Sequence, residues 1–127
     1  MDDSVLDRIA FDSAGLVPVI AQAHGTGEVL MLAWMNRDAV AETLATSRVC
    51  YYSRSRAALW RKGESSGQVQ RLIELRLDCD GDALLASVDQ TGVACHTGRR
   101  SCFFTALSPD GVKTIAEVLV PPETLYG

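Results

Sequence analysis

Positive charge is in deficit in this 127-residue chain: twelve lysines and arginines stand against sixteen aspartates and glutamates, a formal net charge of −4. Proteins that wrap a nucleic-acid backbone are usually basic overall. A nucleic-acid polymer is therefore not expected as partner, whereas a small anionic ligand needs only a local basic pocket. Long apolar runs are also missing. The longest, near residues 29–35, is far too short to span a bilayer. The opening MDDSVLDRIAFD has neither a basic start nor an apolar centre, so it is not a signal peptide. Neither a membrane nor secretion is indicated, and the expected location is the cytoplasm, where thiols stay reduced. Repeats, low-complexity tracts and linkers are absent as well. What is present, 47% apolar and 22% charged residues, is ordinary globular composition. One domain over residues 1–127 is expected.

Local patterns place the elements. GLVPVIAQ (15–22) and EVLMLAW (28–34) read as strands joined by the turn HGTG, hence a β-hairpin. Asn36 is placed as the N-cap of a helix ending near Ser47, with Val40 and Leu44 on its buried face. RVCYYS (48–53) and ALLASVDQ (83–90) are rich in β-formers, and one more strand is expected after Ser101. In QVQRLIELRLD (68–78) the alternation puts Val69, Ile73, Leu75 and Leu77 on one face. Gln70, Glu74, Arg76 and Asp78 fall on the other, with Leu72 as the exception. Extending that register puts Asp80 and Asp82 on the polar face and Cys79 on the apolar one. VKTIAEVL (112–119) reads as a short helix, and PPE (121–123) as the end of regular structure. The expected class is α+β and β-rich: a small, mostly antiparallel sheet or pseudo-barrel with few helices.

Three stretches carry chemistry. DCDGD (78–82) holds three acids and a thiol in one turn. Like charges this close repel by about 1 kcal/mol per pair even in water. The run is either a solvated acidic turn or a site for a hard cation such as magnesium. Cys79, Cys95 and Cys102 have the spacing C-x15-C-x6-C, while Cys50 lies apart in a strand-like run. No CxxC pair signals a zinc ribbon, and small buried thiols are the plain alternative. The run CHTGRRSC, however, sets His96, Arg99 and Arg100 between two thiols. Three thiolates would leave one tetrahedral zinc position open, as in catalytic sites. His96 could then move protons, or it is simply a hydrogen-bonded structural residue. The third stretch, YYSRSRAALWRKGESSG (51–67), interleaves Arg54, Arg56, Arg61 and Lys62 with Tyr51, Tyr52 and Trp60, followed by Ser65 and Ser66. Guanidinium groups and turn amides bind phosphate, and aromatic rings stack on bases. A nucleotide-sized ligand fits this stretch, and so does a solvated strand edge guarded by cations. Glu64 is a candidate proton-transfer group by its position there.

In this order and spacing, GLVPVIAQ, EVLMLAWMN, YYSRSR, LWRKGE-x-SG, DCDGD and CHTG-x-x-SCF resemble the phosphoribosyl-AMP cyclohydrolase family of histidine biosynthesis, over residues 15–104. The resemblance implies hydrolysis of the adenine ring of phosphoribosyl-AMP between N1 and C6, giving a formimino-linked phosphoribosyl imidazole carboxamide. It implies Zn2+ on Cys79, Cys95 and Cys102, with a zinc-bound hydroxide as the nucleophile, and Mg2+ on Asp78, Asp80 and Asp82. It further implies an intertwined homodimer with the site between chains, and the zinc thiolates from one chain or from both. His96 is the favoured proton-transfer group, with Glu64 as the other. The two phosphates of such a substrate would account for both basic stretches: Arg54, Arg56, Arg61 and Lys62 with Trp60, Ser65 and Ser66 in one, Arg99 and Arg100 in the other. Two alternatives predict different behaviour. A zinc hydrolase or deaminase acting on another purine nucleotide would give a different product, ammonia in the case of a deaminase. A zinc-stabilised nucleotide-binding module would show no turnover.

Overall fold

The computed structural model describes residues 3–126. In chain order the elements are α1 Asp3–Leu6, β1 Val17–Ala23, β2 Val29–Met35, α2 Arg37–Thr46, β3 Cys50–Ser53, β4 Ala58–Arg61, β5 Gln70–Leu77, β6 Leu84–Gln90, β7 Thr105–Ser108, β8 Gly111–Thr114 and α3 Pro122–Tyr126.

Alternation builds the sheet. Val17, Val19, Ala21 and Ala23 of β1 all point inward and are buried. They meet Met31 and Met35 of β2 and Leu84, Ala86 and Val88 of β6 in one core. Each large side chain buried there contributes about 1.5–3 kcal/mol. The hairpin β1–β2 is antiparallel, as its turn sequence foretold. Ala39 and Val40 of α2 join the same core. Asn36 caps that helix, its Oδ1 accepting from Ala39 N at 2.8 Å. Ser47 closes it in the left-handed conformation (φ 60°), its N–H donating to Thr43 O.

The four-stranded sheet runs β2-β1-β6-β5, and β3–β4 and β7–β8 are separate hairpins. Among the described residues no barrel closes, so the pseudo-barrel expectation is corrected to an open sheet. Most pairings are antiparallel, but β1 and β6 at the centre run parallel. That pairing leaves no local trace in the sequence.

Three other expectations change. Residues 112–119 are not helical: Val112 to Thr114 pair with Thr105 to Leu107, closed by the turn Ser108-Pro109-Asp110-Gly111. Ser, Pro and Gly at the first, second and fourth positions of this turn suit a type I turn, which closes the hairpin. The PPE motif begins α3 instead of ending regular structure, which suits proline at a first helical position. In β5 the register shifts between Leu72 and Glu74. Gln70 and Leu72 therefore face the core before the shift, and Leu75 and Leu77 after it, opposite Gln90, Val88, Ala86 and Leu84. The bulge explains why Leu72 broke the alternation. It also corrects Gln70, which is 1% exposed. Strand β5 ends at Leu77, so Cys79 leaves the apolar face and is exposed.

Candidate active site

The turn after β4 is built around Gly63. A Cβ there would lie 2.5 Å from Gln68 C and Val69 N, and φ is +82°, so only glycine fits. The tight loop that follows closes a cavity of about 280 Å³ lined by Arg56, Trp60, Lys62, Gly63, Glu64, Ser65 and Ser66. An open cleft of about 730 Å³ shares Arg56 and Trp60 with it and adds Trp34, Tyr52, Ser53 and Arg54. The Arg54 guanidinium stacks 4.6 Å above the Trp34 ring. Tyr52 belongs to the aromatic stretch expected to bind a base, whereas Trp34 is new to the site. Its signal is period two: at the end of β2, Trp34 falls on the face opposite Met35.

Lys62 is only 7% exposed, and burial pushes its ammonium below the ordinary lysine value, with Cys102 and Cys95 opposing that shift. Both thiols thus lie within electrostatic reach of Lys62. The turn carrying them is closed by Ala94 N to Arg100 O, Cys95 N to Arg99 O and Gly98 N to Cys95 O, at 3.0–3.1 Å. Cys102 is pinned beside β2 by its N–H to Leu30 O at 2.7 Å. Cys102 is exposed as a residue, yet partial desolvation of its sulfur, and then the neighbouring Cys95 thiol, push it up to about 12, while Lys62 pulls it down. A thiol pair with a cation beside it is a donor set that would suit a soft divalent metal ion, which would take the place of the thiol protons. Thr97 Oγ1 donates to Cys95 Sγ at 3.0 Å. Cys50 is buried elsewhere, where burial raises it to about 11.

Asp78, Asp80 and Asp82 converge, their ligand oxygens all within 4.8 Å of one another. Gly81 (φ +80°) permits the turn, and its carbonyl accepts from Ala10 N at 2.7 Å. Asp78 Oδ1 accepts from Asp82 N and Ala83 N. Hydrogen bonding with Asp80 and Asp78 raises Asp82 to about 6. The three carboxylates together offer an all-oxygen donor set suited to magnesium.

Not every expected site residue joins these groups. Among the described residues the aspartates are the only such cluster of three, so one chain does not bring Cys79 together with Cys95 and Cys102. Arg61 is held in a bidentate pair with Glu42, at 2.8 and 2.6 Å. Arg99 lies 4.1 Å over the Phe104 ring and donates to Ala116 O. Arg100 donates to Glu28 Oε1 and Gly92 O. His96, next to Cys95, is exposed, as is Glu64 in the cavity wall.

A sequence profile described as phosphoribosyl-AMP cyclohydrolase matches residues 31–104, more than half the chain. A phosphoribosyl-AMP cyclohydrolase of Granulibacter bethesdensis is 71% identical over 124 residues, covering 97% of both chains. One from Alkalilimnicola ehrlichii is 68% identical over 97% of this chain and 87% of its own. One from Paramagnetospirillum magneticum is 64% identical over 97% and 93%.

Proposed function

The chain belongs to the phosphoribosyl-AMP cyclohydrolase family, hydrolases of histidine biosynthesis, and from that membership we propose that it opens the adenine ring of phosphoribosyl-AMP between N1 and C6. The product would be the formimino-linked phosphoribosyl imidazole carboxamide ribotide. The observation that carries this reading is the convergence of Lys62, Cys95 and Cys102 beside a polar, nucleotide-sized cavity.

Zn2+ on Cys79, Cys95 and Cys102 would supply a nucleophilic hydroxide at neutral pH. The protein's own groups do the rest. Arg56, Lys62, Ser65 and Ser66 bind one phosphate in the cavity, and Arg54 binds the other in the adjoining cleft. Trp60, on the ridge between the two, stacks on the base. Arg61, Arg99 and Arg100 reach the substrate only by exchanging the partners they hold here. His96, or else Glu64, moves the proton that N1 needs as it leaves C6. Mg2+ on Asp78, Asp80 and Asp82 would neutralise phosphate charge.

A homodimer supports this arrangement. Ile20 and Leu32, paired on the outward face of the sheet, are 37% and 47% exposed. Leu107, Val112 and Leu119 of the C-terminal part are 79%, 73% and 62% exposed. A second copy would cover such apolar surface and bring a partner's Cys79 to the thiol pair. No helix among the described residues is long and apolar enough to cross a membrane.

Turnover of phosphoribosyl-AMP by metal-stripped protein, given zinc, magnesium or both, tests the reaction. Activity requiring both metals is expected. Ammonia as product would instead indicate a deaminase, and metal-dependent stability without turnover a binding module. Mixing unfolded Cys79→Ser and Cys102→Ser chains and refolding them together tests the shared site. Statistical pairing leaves one intact site in half of the dimers, restoring about a quarter of wild-type activity. Restoration near zero would place all three thiols in one chain's site.

A further inference from the structure

A chain of glutamine amides joins the cavity loop to the thiol turn, and neither the reaction nor the metal ligands account for it. Gln68 Nε2 donates to Ser66 O at 3.3 Å, in the cavity wall. Its Oε1 accepts from Val93 N at 3.0 Å, two residues before Cys95. Gly92 (φ +65°) makes room for this crossing, because a Cβ there would collide with Gln68 Oε1. Behind it, Gln90 Nε2 lies against the carbonyls of Gln68 and Thr91, at 3.1 and 2.8 Å. Gln90 Oε1 in turn accepts from Gln70 Nε2 at 2.8 Å. Gln70 Oε1 accepts from the buried Tyr51 hydroxyl at 2.6 Å. The Tyr51 ring packs 5.3 Å from Trp60, which lines the cavity. The path therefore leaves the cavity through Ser66, crosses to the approach of Cys95 and returns to the cavity through Tyr51 and Trp60.

Buried amides bonded at both ends are rigid, because leaving either end unpaired costs about 1–3 kcal/mol. Residues 91–93 lie outside the strands; Thr91 N donates to Val69 O and Gly92 O accepts from Arg100, while Val93, next to the thiol turn, is held by the Gln68 amide. We propose that Gln68 and Gln90 are positioning residues that set the thiol pair at a fixed place relative to the substrate cavity. The inference rests on the cyclohydrolase reading for its kinetic readout, and on thiolate metal binding for its spectroscopic one. A positioning contact of this kind weakens metal binding by about 10–100-fold when removed.

The test uses the full chain as purified, then metal-stripped, and titrates cobalt(II) while following thiolate-to-cobalt absorption. Gln68→Met and Gln90→Met are expected to weaken cobalt binding by about tenfold or more, and Gln68→Met also to raise the Michaelis constant for phosphoribosyl-AMP. Gln68→Glu keeps an acceptor for Val93 N and is expected to recover most of the cobalt affinity. Val19→Ala, a core change remote from the amides, should lower the melting temperature without moving cobalt affinity. Gln68 is only half-buried, so its variants report even if Gln90→Met does not fold. Cobalt affinity and spectrum of Gln68→Met matching wild type, or an equal loss in Val19→Ala, would overturn the proposal. Wild type that turns over substrate but shows no thiolate–cobalt absorption would overturn the thiol-site reading instead. The Michaelis constant of Gln68→Met would then decide the brace, an unchanged value refuting it.

Discussion

Gly98→Ala tests how the thiol turn is held from outside. Gly98 has φ +86°, and its carbonyl accepts from Leu119 N at 2.8 Å and Val120 N at 3.1 Å. An added Cβ would collide with Val120 O and stand 2.9 Å from Val120 C and 3.0 Å from Val118 Cγ1. The C-terminal segment must then move away from the turn. The left-handed backbone costs alanine about 1 kcal/mol, and two lost hydrogen bonds cost about 1 kcal/mol each. With the displaced packing the loss is about 3–4 kcal/mol. For a chain of 127 residues the unfolding entropy is roughly 0.27 kcal/mol/K, so the melting temperature should fall by about 11–15 °C. Gly15 is the control: its φ is +78°, but an added Cβ meets nothing within 4 Å. Gly15→Ala should cost only the backbone term, about 4 °C. The assay is thermal unfolding by circular dichroism at one protein concentration, with zinc content measured on the folded fraction. Equal falls for the two variants would refute the collision argument, leaving backbone strain as the whole effect.

Lys62→Met removes a cation that burial disfavours. Its melting temperature should equal or exceed that of wild type, while the Michaelis constant rises about tenfold or more; a stability loss with unchanged kinetics would make Lys62 structural. Ser47→Gly relieves a left-handed helix cap and should raise the melting temperature by about 2–4 °C. The Arg61 guanidinium, hydrogen-bonded to Glu42, holds that carboxyl below its ordinary 4.5. The pair's contribution is therefore complete above that value and is lost as pH falls through the lower folded-state value. Glu42→Gln should be less stable than wild type at neutral pH, and the gap should close in acid. A gap independent of pH would assign the effect to packing.

Local chemistry made much of this fold legible. The hairpin β1–β2, the cap at Asn36 and the strands β3 and β6 follow from patterns within a few residues. The parallel pairing of β1 with β6 does not, because it joins segments whose sequences carry no mark of each other. Residues 112–119 are short enough to satisfy either period, and it is the turn at Pro109-Asp110 that makes residues 112–114 a strand. The site divides in the same way. DCDGD and CHTGRRSC named the residues that cluster, whereas the separation of Cys79 from the other thiols is a property of the whole chain. The roles of Gln70 and Gln90 were hidden because an amide within a strand reads as solvent-facing. Gln90 points inward by the plain alternation of β6, in step with Leu84, Ala86 and Val88, whereas Gln70 does so only because of the bulge at Ile73.

The parallel pair at the sheet's centre also sets a schedule for synthesis. Strand β1 leaves the ribosome early, yet its inner neighbour β6 follows only after β2, α2, β3, β4 and β5. Such distant pairing is slow to form and leaves apolar strands open meanwhile. The N-terminal half therefore has no finished core of its own and waits, exposed to chaperones, for residue 88 to emerge. The thiol turn comes after that point. The proposed metal site would therefore be completed only in a chain whose sheet can already close, because Cys95 and Cys102 follow β6.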